Sequence, residues 1–299
     1  MNLTDNRKWI KISPYERFFD FISPDVDRFG ILLEQIKKLN LNSLVVTIDG
    51  NRHIFIFPAG INLKLSSGNK FPYRGENPVI LTAHYDRVPD SPGANDNSAA
   101  VFMLLRAALL LIKQRQKRWI IIFTDKEELQ KGEKIKDQGS FGLTKKLTAL
   151  GLGNAQIFNF DACGTGDTFI FSSTVDYLFK KNIITDLRNK ALITAKNLNL
   201  KKLMLAPVPF SDDAGFLRGG IPAQTITILP TEEANAFALQ LKTHPNFADQ
   251  IILSSIKNSM YRQFIPHTWC YLNSPSDTYL LLTPEHYENI VRFAVELCR

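Results

Sequence analysis

The chain has 299 residues and a formal net charge of +7 at pH 7; 44% of its residues are hydrophobic and 22% are charged. These proportions are ordinary for a globular protein and exclude disordered, collagenous and disulfide-rich classes. The three cysteines show no paired spacing and the amino terminus lacks the apolar run of a secretory signal, so we expect a cytoplasmic protein with reduced thiols.

In chain order, apolar residues at helical spacing first predict two helices between residues 15 and 39. Two β-type runs, 44–48 and 54–57, flank an Asp-Gly-Asn turn and predict a hairpin. A long apolar helix is expected from Ala99, and a closing helix over 284–298. Four further apolar runs each suit a buried strand: 79–83, 119–123, 156–160 and 225–229.

Buried strands that alternate with helices predict an α/β fold of three layers, in which helices cover both faces of a mainly parallel mixed sheet. We find no repeat and no long linker, so we expect one domain over residues 1–299, with the helices and hairpin of residues 1–70 packed on it. The longest apolar stretch, 99–112, carries Arg106 and is too short to cross a bilayer, so no membrane contact is expected. The scattered basic residues form no nucleic-acid motif, and no nucleic-acid partner is expected.

Residues able to bind a metal follow each of the first three buried runs. They are His84 and Asp86, then Glu127 and Glu128, then Asp161. Asp96 precedes the long apolar helix. Each motif alone has a structural explanation, such as a helix cap or a surface charge. Because ligands collect at the carboxyl ends of strands in open α/β sheets, the whole series favours a metal site.

The residue types indicate which metal such a site would hold. One imidazole among several carboxylates suits Zn²⁺, Mn²⁺ or Co²⁺. A second metal sharing a bridging carboxylate would reduce the repulsion among so many acids. Asp86 is placed to accept the other imidazole N–H of His84. Of the adjacent pair Glu127 and Glu128, one can bind metal while the other acts as a general base.

These residues belong to a longer series of motifs, running from about Pro78 to the carboxyl end. The series is His-x-Asp, Gly-Ala-x-Asp-Asn, Glu-Glu, an Asp after an apolar strand, Ser-Asp-x-x-x-Phe before Gly-Gly-Ile-Pro-Ala, and a final Ser-Asp-Thr. It resembles the co-catalytic zinc aminopeptidase family, whose superfamily also includes glutamate carboxypeptidase, the transferrin receptor and glutaminyl cyclase. The resemblance implies a zinc exopeptidase that hydrolyses the N-terminal residues of peptides.

Carried over residue by residue, the resemblance implies that His84 and Asp161 bind one zinc. It implies that Glu128 binds a second zinc and that Asp96 bridges the two. Glu127 would then be the general base.

The remaining roles are also implied by the resemblance. Asp86 would be the partner of His84 and support catalysis through it. A cis peptide would fall at Asp96-Asn97. Asp212 and Asp213 occupy a Ser-Asp-His segment of the family, with Asp213 where many members have His, and imply substrate contacts.

The sequence departs from the family at the last ligand of the second metal. A His-Thr-x-x-Asp-Thr signature supplies that ligand in the family, and here Asn273 stands in place of the His. His267 lies six residues earlier, so either His267 or Asn273 is expected to complete the second site. A glutaminyl cyclase with one zinc, or a non-catalytic protein with an incomplete second site, therefore stay as alternatives. The oligomeric state is left open.

Overall fold

A computed structural model describes residues 9, 13–61, 77–179, 184–244, 246–252 and 262–299. Part of the amino-terminal region for which packing on the domain is expected, residues 1–8, 10–12 and 62–70, lies outside the described residues. Eight strands of the described chain form one sheet. Their bounds are β1 Asn42–Ile48, β2 Asn51–Phe57, β3 Val79–His84, β4 Trp119–Thr124, β5 Gln156–Phe160, β6 Thr168–Ser172, β7 Leu203–Ala206 and β8 Ala223–Leu229.

The strands lie side by side in the order β1-β2-β4-β3-β5-β8-β6-β7. The four central strands, β4, β3, β5 and β8, are parallel to one another. The hairpin β1-β2 joins β4 antiparallel, and β6 joins β8 antiparallel. Because parallel strands end at the same edge, the segments that follow β3, β4 and β5 come together there. We call these segments, with the turn Ala94–Ser98, the carboxyl rim.

Helices lie on both faces of the sheet. Their bounds are α1 Phe18–Ile22, α2 Arg28–Lys38, α3 Ala99–Lys113, α4 Gly139–Ala149, α5 Thr174–Phe179, α6 Thr185–Asn197, α7 Asp212–Arg218, α8 Thr231–Thr243, α9 Phe247–Ile252, α10 His267–Tyr271 and α11 Tyr287–Leu297. The two longest apolar stripes belong to α3 and α11, which pack against each other and the sheet.

Successive strand residues alternate between the two faces, as the pleat requires. On β3, Leu81 packs with the cluster that contains α3 and α11, whereas Ile80 packs with the cluster that contains α4 and α7. The same alternation places Ile121 and Ile122 of β4 on opposite faces. The sheet is therefore buried on both sides, which explains why its central strands read as continuous apolar runs.

The predicted α/β class and three-layer arrangement are confirmed. The hairpin and the four apolar runs form strands as expected. The strands β6 and β7, which are only five and four residues long, were not predicted from the sequence. Short strands bounded by irregular segments carry too few residues for a periodic signal.

The stretch Ala94–Lys113 is long and apolar enough to span a membrane by composition, but most of it is buried inside the protein. It contributes the core residues Val101, Phe102 and Leu105, which have no exposed surface. In this fold the stretch serves as the central helix of the core.

Candidate metal centre

Four of the predicted ligands, His84, Asp96, Glu128 and Asp161, lie on the carboxyl rim. His84 is the last residue of β3, and its neighbour Tyr85 still donates its backbone N–H to the Thr124 carbonyl at the end of β4. Asp161 follows β5 directly and donates its N–H to the Ile226 carbonyl of β8. The parallel sheet thus fixes the backbone from which these ligands project.

Three side chains form a compact group suited to a cation. His84, Asp96 and Glu128 each offer a ligand atom, and these atoms all lie within 4.8 Å of one another. His84 Nε2 lies 3.0 Å from Asp96 Oδ1 and 3.4 Å from Asp161 Oδ1. The structure therefore brings the four predicted ligands His84, Asp96, Glu128 and Asp161 to one place.

Several polar atoms of this group are buried without a hydrogen-bond partner of good geometry. They are both ring nitrogens of His84, Glu128 Oε1 and Asp161 Oδ1. A buried polar atom left without a partner is costly, and a native protein rarely leaves four of them side by side. A cation bound among these atoms would satisfy His84 Nε2, Glu128 Oε1 and Asp161 Oδ1, while His84 Nδ1 faces Asp86.

The pKa of the His84 side chain is raised well above its ordinary value. Burial lowers it, but the contacts with Asp161, Asp86 and Asp96 raise it by more. The same contacts act in reverse on Asp161: burial raises its pKa, and the neighbouring His84 lowers it to a net value below the usual range. The imidazole thus lies in a strongly negative environment, which favours a cation.

The pKa values of two other carboxyl groups on the rim, Glu128 and Glu127, are raised and not lowered. Burial and the charge of Asp96 raise the pKa of Glu128 to about 9. Burial also raises the pKa of Glu127 well above its usual range, and Glu128 and Asp161 raise it further against the opposing effect of His84. Acids so close together repel one another unless a cation lies between them. The donor set, one imidazole and several carboxylates, fits Zn²⁺.

Asp86 acts on two sides of this group. Its Oδ1 lies 3.5 Å from His84 Nδ1, consistent with the predicted partnership. Its two oxygens also accept the backbone N–H groups of Glu127 and Glu128, at 3.1 and 3.0 Å. One carboxylate therefore links the histidine ligand to the loop that carries the two glutamates.

Three further side chains at the rim were not assigned a role from the sequence. The Gln138 amide nitrogen lies 3.4 Å from Glu127 Oε1. The Arg28 guanidinium is buried and donates to the Ser98 hydroxyl at 2.6 Å. Asp277 is buried and accepts two backbone N–H groups near Asp96. Asp277 belongs to the Ser-Asp-Thr motif, whereas Arg28 and Gln138 carry no local signal.

Asp212 and Asp213 begin α7 and are almost completely buried. Asp212 accepts the Thr124 hydroxyl, and Asp213 accepts the backbone N–H of Ser211. Burial raises the pKa of Asp212 to about 6 and that of Asp213 to about 7. Each keeps one oxygen without a partner, so their role in binding substrate stays a prediction.

The two candidates for the last ligand of a second metal are both exposed. His267 begins α10, directly after Pro266, and faces a surface pocket with Arg262 and Cys270. Asn273 has a positive φ of 57°. Among the described histidines, cysteines and acids, His267 is not part of the metal-ligand group. The choice between His267 and Asn273 as the last ligand stays a prediction.

An α/β sheet with a His, Asp and Glu group at its carboxyl edge is typical of proteins that bind a catalytic metal there. A family model confirms a narrower assignment: residues 63–298 match peptidase family M28, and the chain belongs to that family. The membership confirms the resemblance found in the sequence and, together with the metal-ligand group, the expected zinc cofactor. No curated protein sequence matches the chain significantly.

Solved structures share the fold at low sequence identity. A leucine aminopeptidase precursor from Bacteroides thetaiotaomicron aligns with a TM-score of 0.64 and 17% identity, over 95% of this chain and 93% of its own. The LapA aminopeptidase of Legionella pneumophila gives 0.62 and 13%, over 100% and 74%. The zinc aminopeptidase BSAP of Bacillus subtilis gives 0.54 and 18%, over 82% of this chain. The matched part spans about half, 48%, of BSAP.

Proposed function

We propose that the protein is a zinc-dependent exopeptidase of the aminopeptidase type, which removes N-terminal residues from peptides. The observation that carries the proposal is the place of Glu127: its half-buried carboxyl is outside the metal-ligand group but feels the charges of His84, Glu128 and Asp161. Membership of family M28 and the aminopeptidases among the structural neighbours support it.

In the proposed mechanism His84, Asp96, Glu128 and Asp161 would hold the metal. Bound there, zinc supplies a Lewis acid that polarises a carbonyl and makes water more acidic. Glu127 is half-buried and has a raised pKa, so its carboxylate readily accepts a proton from the attacking water and returns it to the departing amine.

Other residues of this chain would orient the general base and the substrate. The Gln138 amide nitrogen, 3.4 Å from Glu127 Oε1, favours one orientation of that carboxyl. Asp212 and Asp213 lie near enough to Glu127 and Asp161 for their charges to influence them. The free α-amine of a peptide is a cation, which these carboxylates would attract.

A glutaminyl cyclase is the second candidate. The cyclase of Bacteroides thetaiotaomicron aligns with a TM-score of 0.62 and 17% identity, over 95% of this chain and 94% of its own, so the two are similar in length. All five histidines of the chain lie in its described part, and His84 alone among them belongs to the metal-ligand group. A single zinc would suit that supply of imidazole.

One peptide with an N-terminal glutamine separates the two candidates. An aminopeptidase releases free glutamine and a shortened peptide, whereas a cyclase releases ammonia and leaves the peptide at full length. Mass spectrometry of the products after incubation with the zinc-loaded protein distinguishes them. We expect the shortened peptide, and loss of ammonia alone would replace the proposal with the cyclase.

Glu127→Gln tests the general base within the same assay. Glu133→Gln is the matched control, because Glu133 lies in the same loop, pairs with Lys126 and is outside the metal-ligand group. We expect Glu127→Gln to lose turnover while keeping its zinc, and Glu133→Gln to keep both. Full activity in Glu127→Gln would refute the assignment.

We also propose that the protein works in a reducing compartment, the cytoplasm. Its three cysteines, Cys163, Cys270 and Cys298, are unpaired, and two of them are buried.

A further inference from the structure

The turn that carries Asp96 is held by a residue far away in the sequence. Asp277 Oδ1 accepts the Asn95 N–H at 2.8 Å, and Asp277 Oδ2 accepts the Asp96 N–H at 3.0 Å. The carbonyl of Asp277 accepts the N–H of Ala94 at 3.2 Å. Asp277 thus accepts hydrogen bonds from three successive backbone N–H groups.

These three N–H groups need an acceptor because the turn is not helical. Asp96 has φ −113° and ψ 87°, and Asn97 has φ −135° and ψ 30°, just before α3 begins at Ala99. The whole turn is buried, so water does not supply the acceptors. Buried backbone N–H groups are almost always paired, and hydrogen bonds to a carboxylate are about twice as strong as neutral ones.

The opposite side of the turn is tied to the segment that carries Asp161. Asn97 donates its side-chain N–H to the Phe160 carbonyl at 2.8 Å. The Asn95 side-chain oxygen accepts the Gly164 N–H at 2.6 Å. Asp277 therefore holds one part of the turn by hydrogen bonds, and the end of β5 and the segment after it hold another. Asp96 lies in this turn.

Asp277 repeats on this turn what Asp86 does on the neighbouring loop. Asp86 accepts two successive N–H groups at Glu127 and Glu128, as Asp277 does at Asn95 and Asp96. Asp277 is fully buried. The charge of the buried Arg28 faces it. Two carboxylates, contributed by different loops, thus each fix a ligand-bearing segment.

We propose that Asp277 is a positioning residue that sets Asp96 for metal binding. The inference rests on the proposed function for the identity of the metal, but not for the role of the hydrogen bonds. It predicts that loss of the Asp277 carboxylate weakens metal binding although Asp277 contributes no ligand atom to the metal-ligand group.

The test compares Asp277→Asn and Asp277→Ala with Asp167→Asn. Asp277→Asn keeps the size of the side chain and one acceptor oxygen, so it provides a folded variant even where Asp277→Ala does not fold. Asp167 is a matched control because it too accepts a backbone N–H, that of Thr231 at 3.1 Å, and no rim carboxylate influences its pKa.

Three quantities are measured: zinc affinity by competition with a chromophoric chelator, the visible spectrum of the Co²⁺-loaded protein, and amide hydrogen exchange of residues 94–96 in the metal-free protein. For Asp277→Asn we expect a zinc affinity about 10–100-fold lower, a changed Co²⁺ spectrum and faster exchange. For Asp167→Asn we expect all three to match the wild type, whatever its melting temperature.

A wild-type Co²⁺ spectrum and zinc affinity in Asp277→Asn would overturn the inference. Should the wild type itself bind neither zinc nor Co²⁺, the proposed function fails and the exchange experiment alone decides about Asp277. In that case unchanged protection of residues 94–96 in both Asp277 variants overturns the inference, and lost protection supports it.

Discussion

The carboxyl rim and the apolar layer between α3, α11 and the sheet are built from opposite materials. In the apolar layer, Phe102 is fully buried and packs against the rings of Tyr15, Phe18 and Phe21. On the rim, carboxyl groups crowd around His84 and leave polar atoms without partners. The layer supplies folding free energy, and the rim consumes part of it to hold reactive groups rigidly.

The largest effect is expected on the rim. Glu127→Gln removes the proposed base without changing the size of the side chain, so turnover should fall by about 10²–10⁴-fold. The same change removes a buried acid that repels Glu128 and Asp161, so the metal-free protein should not lose stability. Steady-state rates and chemical denaturation measure the two. If Glu127→Gln lost both stability and activity, the rim would contribute to folding as the apolar layer does, and the proposed difference between the two regions would be wrong.

In the apolar layer we expect the reverse: a substitution there should lower stability and leave zinc binding unchanged. Phe102→Ala leaves a cavity at a fully buried site and should lower the free energy of unfolding by about 3–5 kcal/mol. Zinc affinity per folded molecule should stay at the wild-type value, because the side chain contacts no metal ligand. Denaturant titration and chelator competition report both, and a matching loss of zinc affinity would show that the layer and the rim are not separable.

A smaller effect is expected from a buried polar side chain, His53 on β2. Burial lowers the pKa of His53 from 6.5 to about 4, and its Nδ1 accepts the Asp125 N–H. The unfolded chain binds a proton near pH 6.5 and the folded chain near pH 4, so stability present above pH 6.5 is lost as the pH falls toward 4. The loss from this group is about 3 kcal/mol.

His53→Asn keeps an acceptor for the Asp125 N–H and removes the titrating ring. The difference in unfolding free energy between wild type and variant should therefore shrink as the pH falls from about 6.5 to about 4. A difference that does not change over this range would place the His53 pKa at its ordinary value.

The smallest effect is expected at His267. Its exposed position on α10 predicts that His267→Ala leaves zinc affinity unchanged. A clear loss of zinc binding in this variant would bring His267 back as a ligand and support a second metal.

The sequence predicted the metal ligands on the rim better than the residues that hold them in place. His84, Asp161 and the two glutamates follow apolar strands directly, so strand prediction alone places them at one edge. Arg28 and Gln138 reach the same edge only through packing between elements distant in the chain, which no local pattern encodes. Asp277 belonged to a recognised motif, but its hydrogen bonds to residues 94–96 depend on the loop conformation.

The edges of the sheet were harder to predict for the same reason. β7 consists of four residues, of which only Ala206 is buried, and its pairing with β6 is decided by the fold around it. The prediction for His267 depended on the path of a loop, which is decided by the packing around it and not by its length; His267 begins α10 in the structure.

The measurement that tests the central claim most directly is the zinc content of wild type and His84→Ala after equilibrium dialysis, with the melting temperature of each. Wild type should retain zinc and gain stability from it, about 2.7 kcal/mol at a free zinc concentration one hundred times its dissociation constant. His84→Ala should fold but retain little zinc and gain no stability from it. Equal zinc content and equal stabilisation in the two proteins would contradict a metal centre built on His84.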